Sequence, residues 1–243
     1  MSARSVALAA HGEGDGSPIN EAVLCLARRA EEISGIRCRA VFRLGTPAWS
    51  TLAANPAAVV VPLLTAEGHF RHGVLPGALG PAAPTEVRAP LGLHRWVLKA
   101  VAMRLCRQVS LLAAQGCAPA ILVAAHGTQA DPRSGAAAFE RVRAFSRLLP
   151  ASRVAAGFLD QSPAIETAVR LLLADEPRTA LVVVPMFLGG SHVRVDLPRR
   201  IAAAAGATAR PAVLLPPLIE EPVLLTALLE VLSTVGTVDT VRA

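Results

Sequence analysis

Short runs of aliphatic residues alternate with longer amphipathic segments along the chain. In the C-terminal half this pattern predicts strands over residues 120–125, 153–158, 180–185 and 212–216. It predicts helices near residues 136–148, 163–174, 193–204 and 221–233. Strands that are apolar along their whole length are typical of a parallel sheet with helices on both faces. The pattern therefore predicts an α/β fold made of βαβα units.

The same motifs occur twice in the same order, which indicates an internal repeat. VALAAHG at residues 6–12 returns as ILVAAHG at 121–127, and VFRLGTPA at 41–48 corresponds to GFLDQSPA at 157–164. VVVP at 59–62 is followed by His69, and VVVP at 182–185 is followed by His192, each seven residues after the proline. We predict two halves, residues 1–116 and 117–243, and take the strand order 2-1-3-4 within each as a hypothesis.

Proline and glycine residues mark several predicted boundaries. Thr46-Pro47 and Ser162-Pro163 fit an N-cap followed by proline at the first helical position, which predicts that helices begin there. A long helical stretch from Arg95 ends near residues 113–119, where glycine and proline indicate the linker between the halves.

Four histidines follow predicted strands at corresponding places in the repeat. His11 and His126 follow the first strand of each half, and His69 and His192 follow the third. In the order 2-1-3-4 the first and third strands are neighbours, and their carboxyl ends border the crevice in which open α/β sheets bind ligands. We therefore expect the two histidines of each half to face one crevice.

The side chains at this edge are suited to a divalent metal ion. Neutral imidazoles bind first-row metals, and Asp160, after the second strand, would add a carboxylate oxygen. Such a set suits Co²⁺, Ni²⁺, Fe²⁺ or Zn²⁺ and leaves coordination positions open. Gly12 and Gly127 permit a tight turn that exposes the preceding imidazole. The alternative for Asp160 is a turn residue ahead of a helix.

Composition narrows the class of ligand. The chain has 24 basic and 18 acidic residues, a formal charge of +6, and only two Trp, six Phe and no Tyr. Because aromatic stacking platforms are scarce, we expect a small polyanionic ligand and no nucleic acid.

Composition and segment lengths also bear on the compartment. No apolar run reaches 18 residues, and the first apolar segment is too short for a secretory signal, so we expect a cytoplasmic protein without a membrane span. The four cysteines include no CxxC pair, which favours reduced, mostly buried thiols over a metal cluster.

Three motifs together resemble the class II chelatases of the sirohydrochlorin chelatase type, CbiX/SirB. They are AAHG, FLDQSPAIE and VVVPMFLGGSHVRVDLP, within residues 120–235; AAHG and VVVPLLTAEGHFRHGVLP carry a weaker resemblance over residues 5–110. The resemblance implies an α/β fold of two tandem chelatase-like (flavodoxin-like) three-layer α/β/α lobes, each with a four-stranded parallel sheet. It implies a divergent first repeat, residues 1–116, and a catalytic second repeat, residues 117–243.

The function implied is insertion of a divalent metal into sirohydrochlorin, a tetrapyrrole with eight carboxylates, on the path to cobalamin or sirohaem. We expect Co²⁺ first, with Fe²⁺ or Ni²⁺ as alternatives. The metal is a substrate, so no tightly bound cofactor is expected. Two halves in one chain predict a monomer. The alternative is a non-catalytic homologue that binds a tetrapyrrole or a metal.

The resemblance also assigns residues. His126 and His192 match the two active-site histidines, and Asp160 stands where the family has glutamate; these three are the predicted catalytic residues. The predicted metal ligands are His126, His192, His11 and His69. The predicted substrate-binding residues are Arg194, Gly127, Ser191 and Arg71.

The first half departs from the family pattern at the acid. Arg43 is read here as standing in the acid's place, with Glu67 and His72 as nearby substitutes. We therefore expect the second half to be the catalytic one, and the first to shape the cleft and to retain at most weak metal binding.

A histidine phosphatase is the competing enzyme class, since His-Gly follows a strand in both halves. Ala10 and Ala125 precede these histidines, however, where phosphate binding in an RHG motif requires arginine. No Walker-type GxxxxGK[ST] motif is present either, so neither phosphate chemistry is favoured.

Overall fold

The two sequence halves exchange their last helices in the folded chain. The computed structural model describes residues 5–80, 86–131, 133–174, 177–206 and 210–236. Unit 1 comprises Met1–Val97 and Glu221–Ala243, and unit 2 comprises Leu98–Glu220. The compact units thus have different bounds from the repeat, which we divided at residue 116.

Unit 1 is an α/β unit around a short parallel sheet. Its strands are β1 (Ser5–Ala10), β2 (Arg37–Phe42), β3 (Val59–Pro62) and β4 (Glu86–Val87). Its first helices are α1 (Pro18–Ser34), α2 (Thr51–Ala54) and α3 (Leu75–Leu79), the last preceded by a π-helical turn at Phe70–Val74. Helix α4 (Arg95–Ala114) begins in unit 1 and continues in unit 2. It starts at Arg95, where the sequence predicts a long helical stretch.

Unit 2 repeats this plan, and several of its elements are longer. Its strands are β5 (Ala118–Ala125), β6 (Arg153–Phe158), β7 (Thr179–Met186) and β8 (Ala212–Leu214). Its helices are α5 (Arg133–Leu148), α6 (Ile165–Leu173) and α7 (Leu197–Ala205), the last preceded by a π-helical turn at His192–Asp196. Helix α8 (Val223–Gly236) belongs to unit 1, where it packs against α1. No helix within the described ranges combines the length and the apolar character needed to cross a bilayer.

Both sheets are parallel, with orders β2-β1-β3-β4 and β6-β5-β7-β8. The predicted α/β class and the order 2-1-3-4 are confirmed. In unit 2, Leu122 and Val183 pack toward α6 and α7, whereas their buried neighbours Val123 and Val184 point to the opposite face. Burial on both faces explains why these strands are apolar along their whole length.

The predicted helix starts at Pro47 and Pro163 are wrong. Thr46-Pro47 and Ser162-Pro163 are cis peptides, and α6 begins only at Ile165. The backbone N–H of Phe158 donates to the carbonyl of Pro163 at 2.9 Å, and that of Phe42 donates to Pro47 at 2.8 Å. These bonds fold the segment back along the end of the strand, so the proline closes a loop.

A side-chain amide supports the loop after each first strand, but from opposite sides in the two units. In unit 1, Asn20 of α1 accepts from the backbone N–H of Glu13 at 3.2 Å and donates to the carbonyl of Leu44 at 3.1 Å. A side chain at Gly45 would collide with the Asn20 amide.

In unit 2 the residue that carries the amide and the glycine that leaves room for it have exchanged places. Gln161 occupies the position of Gly45, and its Oε1 accepts from the backbone N–H of Thr128 at 3.2 Å. Gly135 occupies the position of Asn20, and a Cβ there would collide with the Gln161 amide. The two units therefore fill the same space with one amide, carried by the helix in unit 1 and by the loop in unit 2.

This reciprocity predicts strong coupling between Gly135 and Gln161. Gly135→Asn alone places a side chain in occupied space, and Gln161→Gly alone removes the acceptor for Thr128. Each should lower the free energy of unfolding by about 1–3 kcal/mol. The double variant, which copies unit 1, should recover much of that loss, with a coupling energy of about 1–3 kcal/mol in urea unfolding. Additive single effects would contradict the exchange.

Candidate metal centre

The imidazoles of His126 and His192 meet above the carboxyl edge of the unit 2 sheet. Their ring centroids are 5.1 Å apart and their planes are inclined by 82°. His126 directly follows β5, and His192 opens the π-helical turn that follows β7. Because β5 and β7 are adjacent parallel strands, both loops leave the same edge of the sheet. The two side chains are 45% and 42% exposed, which leaves the pair accessible to a ligand.

The His126 ring is oriented by the loop that carries it. Its Nδ1 lies 2.9 Å from the carbonyl oxygen of Gly127 and 3.4 Å from Oδ2 of Asp160. Gly127 has φ 70°, and a Cβ there would lie 2.6 Å from the Cβ of Gln161. Only glycine meets both conditions, so the His-Gly pair holds the imidazole at the rim of the crevice.

The His192 ring is oriented by Asp196, which lies one turn further along the chain. Nδ1 of His192 is 2.8 Å from Oδ2 of Asp196, and Arg199 donates to the other oxygen of this carboxylate at 3.2 Å. The hydrogen bond to His192 lowers the pKa of the Asp196 carboxyl below its usual value. The carboxylate therefore remains charged and accepts the Nδ1 proton.

These contacts determine where each neutral ring has its lone pair. Both Nδ1 atoms face oxygen acceptors, so each neutral imidazole carries its proton on Nδ1. The lone pairs are then on the two Nε2 atoms, the atoms available to a metal. In the part of the chain that the structure describes, no three His, Cys, Asp or Glu side chains form a group able to hold a metal. The centre is a pair of imidazoles backed by carboxylates.

Asp160 lies beside this pair with an exposed carboxylate. Its backbone N–H donates to the carbonyl of His126 at 2.9 Å, so it is also a turn residue that joins the two loops. Its side chain is 61% exposed and approaches His126 from the Nδ1 side. The geometry places the carboxylate behind the imidazole, in the position of a partner to that ring.

The predicted substrate-binding residues of unit 2 surround the pair. Ser191 immediately precedes His192, and Arg194 lies on the next exposed position of the π-helical turn. Gly127 contributes the carbonyl that holds His126. Arg200, by contrast, donates to the carbonyl of Leu159 and pairs with Glu166, which gives it a structural role.

Sequence reasoning did not assign Asp196 to the site. The signal was present, because a carboxylate four residues after a histidine lies on the same face of a helical turn.

In unit 1 the spacing from the strand proline to the helix differs by one residue, and this changes which side chain faces His11. The turn Phe70–Val74 aligns with His192–Asp196, and both precede a helix that begins with Leu-Pro. The hydrogen bond from the N–H of His72 to Gly68 matches that from Arg194 to Gly190. Phe70 therefore occupies the place of His192, and His69 corresponds to Ser191.

Ring geometry confirms this alignment. The centroids of His11 and Phe70 are 4.9 Å apart at 69°, which nearly reproduces the His126–His192 pair. The predicted equivalence of His69 and His192 is wrong, because the extra residue lies in the loop where motif counting cannot detect it. The His69 ring lies beyond Phe70, with centroids 5.9 Å apart.

The residue in the acid's place is Leu44, not Arg43. The backbone N–H of Leu44 donates to the carbonyl of His11 at 2.8 Å, as that of Asp160 does to His126. Arg43 instead places its guanidinium 5.1 Å from the centroid of Phe70. Unit 1 thus has an exposed aliphatic side chain where unit 2 has a carboxylate.

Arg71 is held by the sheet. Its Nη2 donates to the carbonyl of Val87 at 2.8 Å and its Nε to that of Arg88 at 3.2 Å, which gives it a structural role. Its contact with a substrate carboxylate stays a prediction. Arg71 also matches Val193 and not Arg194. Glu67 and His72 form an exposed pair with Oε2 and Nε2 2.7 Å apart, so Glu67 is occupied by His72.

The histidine pair lies in the part of the chain that matches a known protein family. The CbiX family model matches residues 120–235, which contain both imidazoles and both carboxylates of the centre. The search of curated proteins returned no match.

Solved structures extend the likeness to both units. One is CbiX, described as the terminal enzyme for biosynthesis of sirohaem in denitrifying bacteria, with 26% identity, TM-score 0.72, and coverage of 95% of this chain and 99% of that one. SirB from Bacillus subtilis with Fe³⁺ has 16% identity, TM-score 0.72 and 98% coverage of both chains. The sirohydrochlorin chelatase SirB from Bacillus subtilis subspecies spizizenii, in complex with cobalt, has 16% identity, TM-score 0.67, and coverage of 93% and 92%. The two SirB structures show that the fold is shared.

The family match over unit 2 and the full-length likeness to CbiX lead to one conclusion. Residues 120–235 belong to the CbiX family, and the chain as a whole has the fold of the CbiX and SirB chelatases.

Proposed function

We propose that unit 2 inserts a divalent metal ion into sirohydrochlorin. The observation that carries this proposal is the pair of exposed imidazoles, 5.1 Å apart, whose Nδ1 atoms are both held by oxygen. The relatives support the substrate class, since one is named as a sirohydrochlorin chelatase and another as an enzyme of sirohaem biosynthesis. Such a reaction belongs to the path to sirohaem or cobalamin.

The site is suited to a metal that must leave. Two Nε2 atoms provide two nitrogen ligands, and the remaining coordination positions stay open to water and to the incoming pyrrole nitrogens. A cation with few protein ligands binds weakly, and weak binding favours transfer to the four nitrogens of the macrocycle. We propose Co²⁺ as the first substrate metal, with Fe²⁺ and Ni²⁺ as alternatives.

Two imidazoles also balance the protons of the reaction. Insertion of one M²⁺ displaces two N–H protons from the tetrapyrrole. As the metal passes from His126 and His192 to the macrocycle, both Nε2 lone pairs become free, and each accepts one proton. The products are the metallated tetrapyrrole and two imidazolium rings, which then release their protons to solvent.

The carboxylates stabilise the cationic form of each ring. Asp196, charged and 2.8 Å from Nδ1 of His192, stabilises the imidazolium by a charge-assisted hydrogen bond. Asp160 acts on His126 at 3.4 Å and, because it is more exposed, does so more weakly. The aspartate that sequence comparison placed at the family's glutamate position therefore serves the ring and not the metal directly.

Substrate carboxylates require cationic or N–H partners at the rim. Arg194 is exposed on the same π-helical turn as His192, and its guanidinium can pair with a carboxylate in bidentate fashion. Ser191 and Gly127 border the same imidazoles and are proposed to contact the macrocycle. We further propose that the protein acts in the cytoplasm as a monomer.

Removing either imidazole should abolish insertion. His126→Ala and His192→Ala should each lower the rate by about 10²–10⁴-fold, because each loses a metal ligand and a proton acceptor. The assay is the absorbance change of sirohydrochlorin with Co²⁺ over several turnovers. His72→Ala, which removes an exposed histidine that also has a carboxylate partner, is the matched control and should retain full activity. Full turnover by His126→Ala would refute the site, and wild-type binding without turnover would favour a non-catalytic homologue.

Asp196 should affect metal binding only through its hydrogen bond to His192. Asp196→Ala frees the Nδ1 proton, so the affinity for Co²⁺ should fall by about 10–100-fold in calorimetric titration. Asp196→Glu should restore part of it. Arg199→Ala removes the other partner of the same carboxylate and should change the affinity by less than about threefold, as for an exposed ion pair. Equal losses in the Asp196→Ala and Arg199→Ala variants would show that the role is local packing.

A further inference from the structure

Unit 2 contains an apolar cavity between helix α7 and strands β7 and β8. Its volume is about 400 Å³, and pockets that bind small molecules typically measure about 300–1,000 Å³. Protein interiors are close-packed and have few voids larger than a water molecule, so this space is large for a packing defect. The cavity therefore has the size of a ligand site.

Two cross-strand pairs form the floor of the cavity. Leu181 of β7 is in register with Ala212 of β8, and Val183 is in register with Leu214. All four residues line the cavity. Because alternate residues of a strand point to one face, both pairs lie on the same side of the sheet as α6 and α7. Leu181 and Val183 are each 1% exposed and belong to the apolar core on that side, so a ligand in the cavity would lie directly on the core.

Small residues on α7 create this space. The helix has the sequence LPRRIAAAA, so four alanines follow Ile201, and the helix ends at Gly206. Ile201 packs into the core, whereas Ala202 lines the cavity and is exposed. A longer side chain at Ala202 would extend over the floor and cover it. The alanine run thus leaves accessible an apolar surface that helices normally bury.

One cation lines this otherwise apolar cavity. Arg210 lies two residues before β8, and its Nη1 donates to the carbonyl of Leu173 at the end of α6. A guanidinium has five N–H donors, and this carbonyl is its hydrogen-bond partner among the residues that the structure describes. The remaining donors can pair with a carboxylate in bidentate fashion. The other described lining residues are aliphatic residues, prolines and a glycine, so the cavity suits a ligand with one acidic group and an apolar body.

The charge lies at one end of the cavity. Helices α6 and α7 run back from the carboxyl edge of the parallel sheet, so Leu173 and Gly206 lie at the amino edge. Arg210, just before β8, lies at that edge too. Pro198, in the first turn of α7, lines the cavity toward the carboxyl edge. The cavity therefore runs along the strands, with its guanidinium at the amino end and apolar surface beyond it.

We propose that this cavity binds a medium-chain fatty acid, with the carboxylate paired to Arg210 and the alkyl chain lying along the two cross-strand pairs. A single guanidinium matches a single anionic group. The described lining includes no aromatic ring, so it suits an alkyl chain better than a flat heterocycle. Because Arg210 lies at the opposite edge of the sheet from the histidine pair, the proposal does not depend on metal insertion.

The test is calorimetric titration of the full chain with octanoate, below the concentration at which octanoate forms micelles. Octanoate should bind, and 1-octanol, which has the same chain without the charge, should bind about tenfold more weakly. Hexanoate is two methylenes shorter and should also bind about tenfold more weakly, because each buried methylene contributes about three- to fourfold in affinity. Octylammonium, whose charge has the sign of Arg210, should bind more weakly than 1-octanol.

Two variants test the head and the chain of the ligand separately. Arg210→Gln should weaken octanoate binding about tenfold and change 1-octanol binding by less than about threefold. Its control is Arg170→Gln, at an exposed arginine of α6 outside the cavity, which should bind octanoate as the natural chain does. Ala202→Leu fills the cavity and should abolish binding of both probes. Its control is Ala203→Leu, at the neighbouring exposed position outside the cavity, which should bind both.

Thermal unfolding establishes that each variant is folded. Octanoate that does not bind the natural chain, or that binds Ala202→Leu equally well, overturns the proposal. An equal loss of octanoate and 1-octanol affinity in Arg210→Gln also overturns it, because the guanidinium would then act only through packing. Should either variant not fold, the natural chain decides. Tighter binding of octanoate than of 1-octanol and hexanoate supports the proposal, and equal affinity for octanoate and 1-octanol overturns it.

Discussion

The parallel pairing of β5 with β7 is the constraint on which the site depends. Ala125 and Met186, the last residues of the two strands, are partners in register, so the loops that follow begin side by side. The β5 loop presents its histidine at once, through the left-handed Gly127, and the β7 loop presents its histidine at the start of a π-helical turn. Each ring then needs one oxygen acceptor at Nδ1, and both acceptors come from the same short segments. Two residues far apart in the chain are thereby oriented by local contacts on a shared edge.

The repeat shows that such a framework persists when the chemistry changes. Unit 1 keeps the strand order, the His-Gly turn, the π-helical turn and a buried amide beneath the loop, yet it has phenylalanine, valine and leucine where unit 2 has histidine and two aspartates. The Asn20–Gly45 and Gly135–Gln161 pairs fill one space in two ways, since a buried N–H must find an acceptor whichever segment supplies it. Loop support is thus under a packing constraint that the two imidazoles proposed to bind the metal, half exposed at the rim, do not share.

The sequence was sufficient to predict the fold class, the strand order and the positions of His126 and His192. Strands that are apolar along their whole length, amphipathic helical segments and repeated motifs are local signals, and right-handed parallel connections leave few topologies. Four features were not predicted. The helix exchange depends on packing between distant segments, and the proline turns depend on backbone hydrogen bonds. Arg71 binds carbonyls that follow it by sixteen residues or more. The place of Phe70 depends on one extra loop residue in unit 1. Because of this residue, the histidines that lie seven residues after the strand proline in the two halves do not occupy the same position in space.

That last difference decides how the two units are to be compared. Both units have a histidine seven residues after the strand proline. By this spacing alone, unit 1 would have the same pair of histidines as unit 2. The π-helical turns instead align on the glycine that accepts their first hydrogen bond and on the Leu-Pro that starts the helix, and on this alignment unit 1 lacks a second ligand in place. In unit 1 the backbone carbonyl of Gly12 orients His11, as that of Gly127 orients His126 in unit 2. A carbonyl supplied by the turn is kept as long as the turn is kept, whereas each side-chain group is lost by a single substitution. The metal chemistry proposed for unit 2 therefore depends on His192, Asp160 and Asp196 as well as on the ring of His126.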